Sequence, residues 1–343
     1  MKLIKTVTAV FAGVALSSTA QANGLSITGS STVYPFAKVV TEELSKSQGK
    51  KAVLESTGSG GGHKIFATGE AAITNSSRRI KPREFDKNIS GGIKNIFEAM
   101  IGYDGIAIAT STKGAALDLT LEQLFRAVAK EVPVNGKIVA NPYKKWSDID
   151  SKLPNEDIVI YGPPTTSGTR DAFHELVLHK VVKDKYLKDY AAALFDGDEK
   201  KAKKYQALRT DGGFVDAGEH DNLIVQKLVK EPAAVGIFGY SYLIENTDKV
   251  QGAKINGVSP APDTISSGDY PISRSLFFYV DLDKAGKVDG VQEYVDLFIS
   301  EKMIGSRGLL RTKGLIPLAK PEREKLRADW TAKKVLSAAD LAK

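Results

Sequence analysis

Short extended apolar runs alternate with stretches whose apolar residues recur every three to four positions. Leu25-Ser-Ile-Thr gives way to Val33-Tyr-Pro-Phe-Ala-Lys-Val-Val, and Ala52-Val-Leu-Glu is followed after a polar loop by Lys64-Ile-Phe-Ala. This pattern predicts strand, helix (33–47), strand (51–55), helix (61–68) and strand (71–75), an alternation that implies a parallel sheet covered on both faces. A helix is predicted after Pro82, and residues 99–109 then read as a strand with a Gly-containing bend, the candidate for a first crossover between two lobes. Helical patterns resume over 119–128, 167–182, 187–195 and 220–230, with strands at 158–161 and 235–240. The Pro/Ser/Gly-rich stretch 259–268 precedes the aromatic and β-branched strand 272–280, read as the return crossover. The tail is predicted helical over 288–300 and 321–341. The expected fold is α/β and two-lobed, each lobe a mostly parallel sheet flanked by helices. Lobe I takes residues 23–105 and 265–343, and lobe II takes 106–264.

Three clusters of Gly, Ser and Thr fall where a strand passes into a helix: Thr28-Gly-Ser-Ser-Thr32, Ser56-Thr-Gly-Ser-Gly-Gly-Gly62 and Thr165-Thr-Ser-Gly-Thr169. Helix starts offer free N–H groups and a partial positive charge, the physical basis of anion binding without a metal. Plain N-capping also suits Ser and Thr. Capping does not account for four Gly among residues 58–62, which add conformational freedom that folding must remove. That loop is no Walker motif, because His63 stands at the second Gly position and Ile65 where a Mg-binding hydroxyl is required. A fourth segment, Ser76-Ser-Arg-Arg79, brings hydroxyls and two fixed charges to the same sheet edge. The four segments together supply many donors and almost no acceptors. Arg170 in a first helical turn opposes the helix dipole, which suits a ligand or a carboxylate partner, with Asp171 and Glu175 nearby.

Composition narrows the setting. Residues 1–22 read as a cleavable export signal, with Lys2 and Lys5, an apolar stretch from Val7 to Leu16, and small residues before Ala22. The apolar stretch falls short of the roughly 20 residues that span a bilayer. The chain has no Cys, which excludes disulfides and an N-terminal lipid on Cys. The formal charge of +7 becomes +5 without the signal's two lysines, and a basic surface steers small anions inward. A nucleic-acid partner is not expected, because the densest basic stretch, 180–204, is interleaved with acidic residues. Catalysis has little support: His174 and His179 lack the four-residue spacing of a zinc motif, and no nucleophile elbow occurs. No cofactor and no metal are expected.

Gly29-Ser-Ser-Thr-Val-Tyr-Pro35, Gly58-Ser-Gly-Gly-Gly62, Asn75-Ser-Ser-Arg78, Trp146-Ser-Asp-Ile149, Ser167-Gly-Thr-Arg-Asp-Ala-Phe173 and Tyr270-Pro-Ile-Ser-Arg274 together resemble the periplasmic phosphate-binding proteins of ATP-driven phosphate uptake, within the type II periplasmic binding proteins. The resemblance covers nearly the whole mature chain. It implies a non-enzymatic, periplasmic, monomeric receptor that takes inorganic phosphate between its lobes and hands it to ABC permease subunits. By the same resemblance the phosphate contacts fall on Ser31, Thr32 and the Val33 amide, on Ser59, on Ser76, Ser77 and Arg78, and on Ser167, Gly168 and Thr169, with Arg170 adding charge. Ser77, Thr165 and Pro163 stand where some members carry two Asp and an Arg; in those members the two carboxylates accept the proton of hydrogen phosphate and repel sulfate. Two alternatives stay open on the sequence: another oxyanion (sulfate, molybdate, tungstate or a phosphonate), and a metal-independent phosphatase-like enzyme.

Overall fold

The computed structural model describes residues 24–165, 167–205, 207–218 and 221–342. The export signal and His220 lie outside them. β1 (Leu25–Gly29) leads into α1 (Tyr34–Gln48), β2 (Ala52–Leu54) into α2 (Ser59–Ala67), and β3 (Ile73–Ser76) into α3 (Pro82–Ser90). Helix α1 forms because Phe36, Ala37, Val40 and Leu44 share one buried stripe, with Pro35 in its first turn. It stops at Gly49, whose φ of 69° lets the amide reach back to the Ser45 carbonyl.

One nine-stranded sheet runs through the molecule. β1 pairs in parallel with β2 and β3, as the alternation predicts. The strand Ser273–Asp281 then lies antiparallel between β3 and β4 (Ile96–Ser111). β4 changes partner along its length: residues 96–105 pair with Ser273–Asp281, and residues 106–110 with Val235–Gly239. Beyond it Val235–Gly239, Ile160–Gly162 and Phe214–Asp216 run parallel to one another. Each half thus holds a parallel trio, and the antiparallel pairings belong to the strands that pass between halves. The expected bend in β4 is at Gly102, φ 150°, where a Cβ would sit 2.5 Å from the Ile316 carbonyl oxygen. At the passage, Tyr270 is fully buried and its hydroxyl donates to the Ile106 carbonyl at 2.9 Å.

Two expectations differ from the structure. The tail helix ends at Thr331 rather than running on to 341, with a second short helix at Ala338–Leu341. Lys333 turns left-handed (φ 49°), and the Leu336 amide donates to the Ile96 carbonyl at 2.7 Å. Leu336 thereby buries itself beside Phe66, Ile96 and Tyr279, a long-range contact that outweighs local helix propensity. The pair Glu131–Val134 and Lys137–Ala140 forms a hairpin that the periodicity did not predict.

Candidate functional site

The C-terminal ends of β1 and β3 and the start of α2 converge with the helix Gly168–Phe173 of the other half on a cleft of about 490 Å³. Ser31, Thr32, Ser59, Ser77 and Arg78 stand on its wall, as do Gly58 and Gly60. The Gly-rich start of α2 has three separate causes. Gly58 takes φ 70°, which a side chain disfavours. A Cβ on Gly62 would lie 2.5 Å from the Gly29 Cα and from Thr74 Oγ1, so the helix can approach β1 only without one. Gly60 meets nothing within 4 Å, which leaves its backbone open to the cleft. The first intrahelical bond runs from the Gly62 amide to the Gly58 carbonyl at 2.8 Å. The amides of Ser59, Gly60 and Gly61 therefore precede the ladder and are available to an anion.

Each hydroxyl carries one proton, so the donors can be assigned one by one. The Ser31 hydroxyl donates to Asp171 Oδ2 at 2.6 Å, across the cleft. Thr32 Oγ1 donates to the Gly168 carbonyl at 3.3 Å, also across it. Ser76 Oγ donates to the Arg78 carbonyl at 2.6 Å. Ser30 Oγ accepts from the amides of Thr32 (3.2 Å) and Val33 (3.3 Å). Ser59 Oγ accepts from the Ser77 amide at 3.0 Å and lies 3.1 Å from Ser77 Oγ. Two hydroxyls share that last contact, so one proton remains for a ligand. Ser167 Oγ takes the Thr169 amide at 3.2 Å, an N-cap.

Arg78 and Arg170, both expected at the anion, differ in placement. Arg78 reaches the cleft but grips Glu84 with two hydrogen bonds of 2.8 Å. Burial works against the Glu84 carboxylate, yet Arg78 and the Lys81 amide together hold its pKa down at about 2. Arg170 is turned inward instead: Nε donates to His174 Nε2 (2.8 Å), Nη1 to the Pro163 carbonyl (2.7 Å), and the guanidinium lies 4.5 Å above the Phe214 ring. Burial lowers its pKa, with Asp216 and Asp171 opposing. Its partner is thus neither Asp171 nor Glu175. Those two carboxylates face the cleft, one helical turn apart, and give it the acceptors that the donor-rich loops lack.

Lys81, His179, Lys204 and Arg274 complete the wall. Lys81 and Lys204 add two positive charges to this wall. Arg274 belongs to a motif visible in the sequence; Lys204 carries no local signal. Among the described residues no group of three or more His, Cys, Asp or Glu could hold a metal ion.

A two-lobed α/β chain with helix-start loops meeting in a cleft defines a solute-binding protein. The profile of the PBP superfamily domain matches residues 15–302, and the chain belongs to that superfamily. Within it the chain is similar to the phosphate-binding protein PstS of Staphylococcus saprophyticus, 31% identical over 281 residues, which cover 80% of this chain and 75% of the relative. It is also similar to protein SphX of Synechococcus elongatus, 28% identical over 297 residues, covering 84% and 76%. Among solved structures, a possible phosphate binding protein from Planctomyces limnophilus superposes with a TM-score of 0.73 at 28% identity, covering 91% of this chain and 98% of that one.

Proposed function

We propose that this protein is an extracytoplasmic receptor that takes inorganic phosphate in the cleft and delivers it to the permease subunits of an ABC transporter. The observation that carries the reading is the convergence of the loops after β1 and β3, the start of α2 and the second lobe's helix Gly168–Phe173 on one cleft, with Ser59 and Gly60, whose amides precede the α2 ladder, on its wall. Phosphate sits on the amides of Ser59, Gly60 and Gly61 and takes the one hydroxyl proton that the Ser59–Ser77 pair leaves free. Ser76 and Arg78 fix that turn, the Ser31-Thr32-Val33 loop and the Ser167-Gly168-Thr169 turn close over it, and Arg170 braces the second turn from inside. The lobe boundaries 23–105 with 265–343, and 106–264, are supported by the change of partner along β4. Export through a cleaved signal to the periplasm is supported by the pattern of residues 1–22; among the described residues no helix is long and apolar enough to cross a membrane. The receptor acts as a monomer and not as an enzyme. Calorimetry on phosphate-stripped protein is expected to give a dissociation constant of roughly micromolar or tighter; no heat with phosphate and a clear signal with another anion sinks the assignment.

Asp171 bears on selectivity. Its carboxylate faces the cleft as an acceptor, so an oxyanion that keeps a proton can donate to it, whereas a fully deprotonated one meets a like charge. Phosphate should therefore outcompete sulfate at neutral pH. Asp171→Asn should narrow that preference by about tenfold or more, read from competition titrations. An unchanged ratio would clear Asp171 of the role.

A further inference from the structure

One guanidinium ties three parts of the cleft together. Arg274 lies opposite Asp104 in the pairing of Ser273–Asp281 with β4, and its Nε is 3.5 Å from Asp104 Oδ2. Nη1 donates to Glu175 Oε2 at 3.0 Å, on the helical segment that follows Gly168–Phe173 in the other lobe. Nη2 donates to Thr32 Oγ1 in the loop after β1. Thr32 in turn passes its own proton to the Gly168 carbonyl, so a chain of donors runs from Arg274 through Thr32 into the second lobe. The Arg274 side chain is only 8% exposed, while its partner Glu175 is 48% exposed. A planar fork with five donors fixed in direction can hold three partners at once; a lysine cannot hold them in that geometry.

We propose that Arg274 is the positioning residue of the cleft, a protein cation that sets the β1 loop and the second lobe's helix at binding distance before any anion arrives. The proposal rests on the reading of the cleft as the phosphate site. Thr32, expected among the phosphate contacts, then serves through its hydroxyl as a link in this junction, and the anion's own donors come from the start of α2. Closure is partly prepaid by protein contacts, so the anion-free protein populates the closed arrangement. Arg274 acts on affinity through Thr32 and Glu175.

The test measures two things on Arg274→Gln, Arg274→Lys, Glu175→Gln and the Arg274→Gln/Glu175→Gln double variant: the radius of gyration by solution scattering without phosphate, and phosphate affinity by calorimetry. Arg274→Gln and Glu175→Gln should each expand the phosphate-free protein and weaken phosphate binding by about tenfold or more. The double variant should lose little beyond the worse single one, because both act on one contact. Arg274→Lys should fall nearer the Gln variant than the wild type. Wild-type affinity and dimensions in Arg274→Gln overturn the proposal. So does a loss in Arg274→Gln that Glu175→Gln does not share, since the guanidinium would then be touching the anion itself. If Arg274→Gln does not fold, the exposed Glu175→Gln variant decides alone. The scattering comparison needs no ligand, so it stands even where wild-type protein gives no heat with phosphate.

Discussion

Replacing Gly168 by valine is expected to leave a folded protein that binds phosphate about 100-fold or more weakly, a loss near 2.7 kcal/mol. A Cβ at this position would lie 2.8 Å from the Thr32 Cα and 2.9 Å from the Ser31 carbonyl oxygen. Both are backbone atoms, so no side chain can swing aside. The clash is between lobes rather than within one, and an open arrangement relieves it entirely. The cost therefore falls on closure and not on folding. Gly62→Ala makes the contrast: its Cβ would meet the Gly29 Cα at 2.5 Å inside a single lobe, where no opening helps, so that variant should lose thermal stability first. Calorimetry and thermal melts on the two variants separate the cases. Wild-type affinity in Gly168→Val would mean that the two loops do not touch when the anion is held.

What the chain reveals of itself follows the range of the interactions involved. The β1-α1-β2-α2-β3 alternation was legible because each element buries a face whose period is written locally, as in Phe36, Ala37, Val40 and Leu44. The hairpin at residues 131–140 was missed because hydrophobic periodicity passes over it; its signal is the dipeptide Asn135-Gly136, whose φ of 50° and 74° a tight hairpin turn demands. The break after Thr331 was not, since it is set by Leu336 reaching Ile96 and Phe66 far back in the chain. The same division holds at the cleft. Loops rich in Gly and hydroxyls mark where an anion can be held, but the destination of each proton depends on partners more than a hundred residues away, such as Asp171 for Ser31 and Gly168 for Thr32. Arg170 illustrates the limit: position in a first helical turn suggested a role at the anion, and the aromatic face of Phe214 with the Pro163 carbonyl draws it inward.

His63 carries the second large effect, on stability rather than binding. It stands on α2 just behind the three open amides, 2% exposed, its ring 5.1 Å from that of Tyr279. Among the described residues neither ring nitrogen has a hydrogen-bond partner. Burial pushes its pKa down from 6.5 to about 4; Glu84 pulls it up, while Arg78 and Lys81 push it further down. Below pH 6.5 the unfolded chain therefore takes a proton that the folded one refuses, and stability falls with acidification until the folded pKa is reached. Above pH 7 the residue is neutral in both states and contributes no slope. The full shift is worth about 3 kcal/mol, most of it expressed by pH 4.5. Urea unfolding at pH 7.5 and 4.5 should show the wild type losing about 2.5 kcal/mol more than His63→Leu over that interval. At pH 7.5 the leucine variant should be no less stable, because it removes an unpartnered polar ring while still packing against Tyr279. Carboxylates remote from His63 contribute alike to both proteins and cancel in the difference; Glu84, which is coupled to the imidazole, is part of the difference that is read. Parallel pH curves for the two would mean that His63 is protonated as readily in the fold as out of it, and hence that the space beneath the helix start admits water to the imidazole.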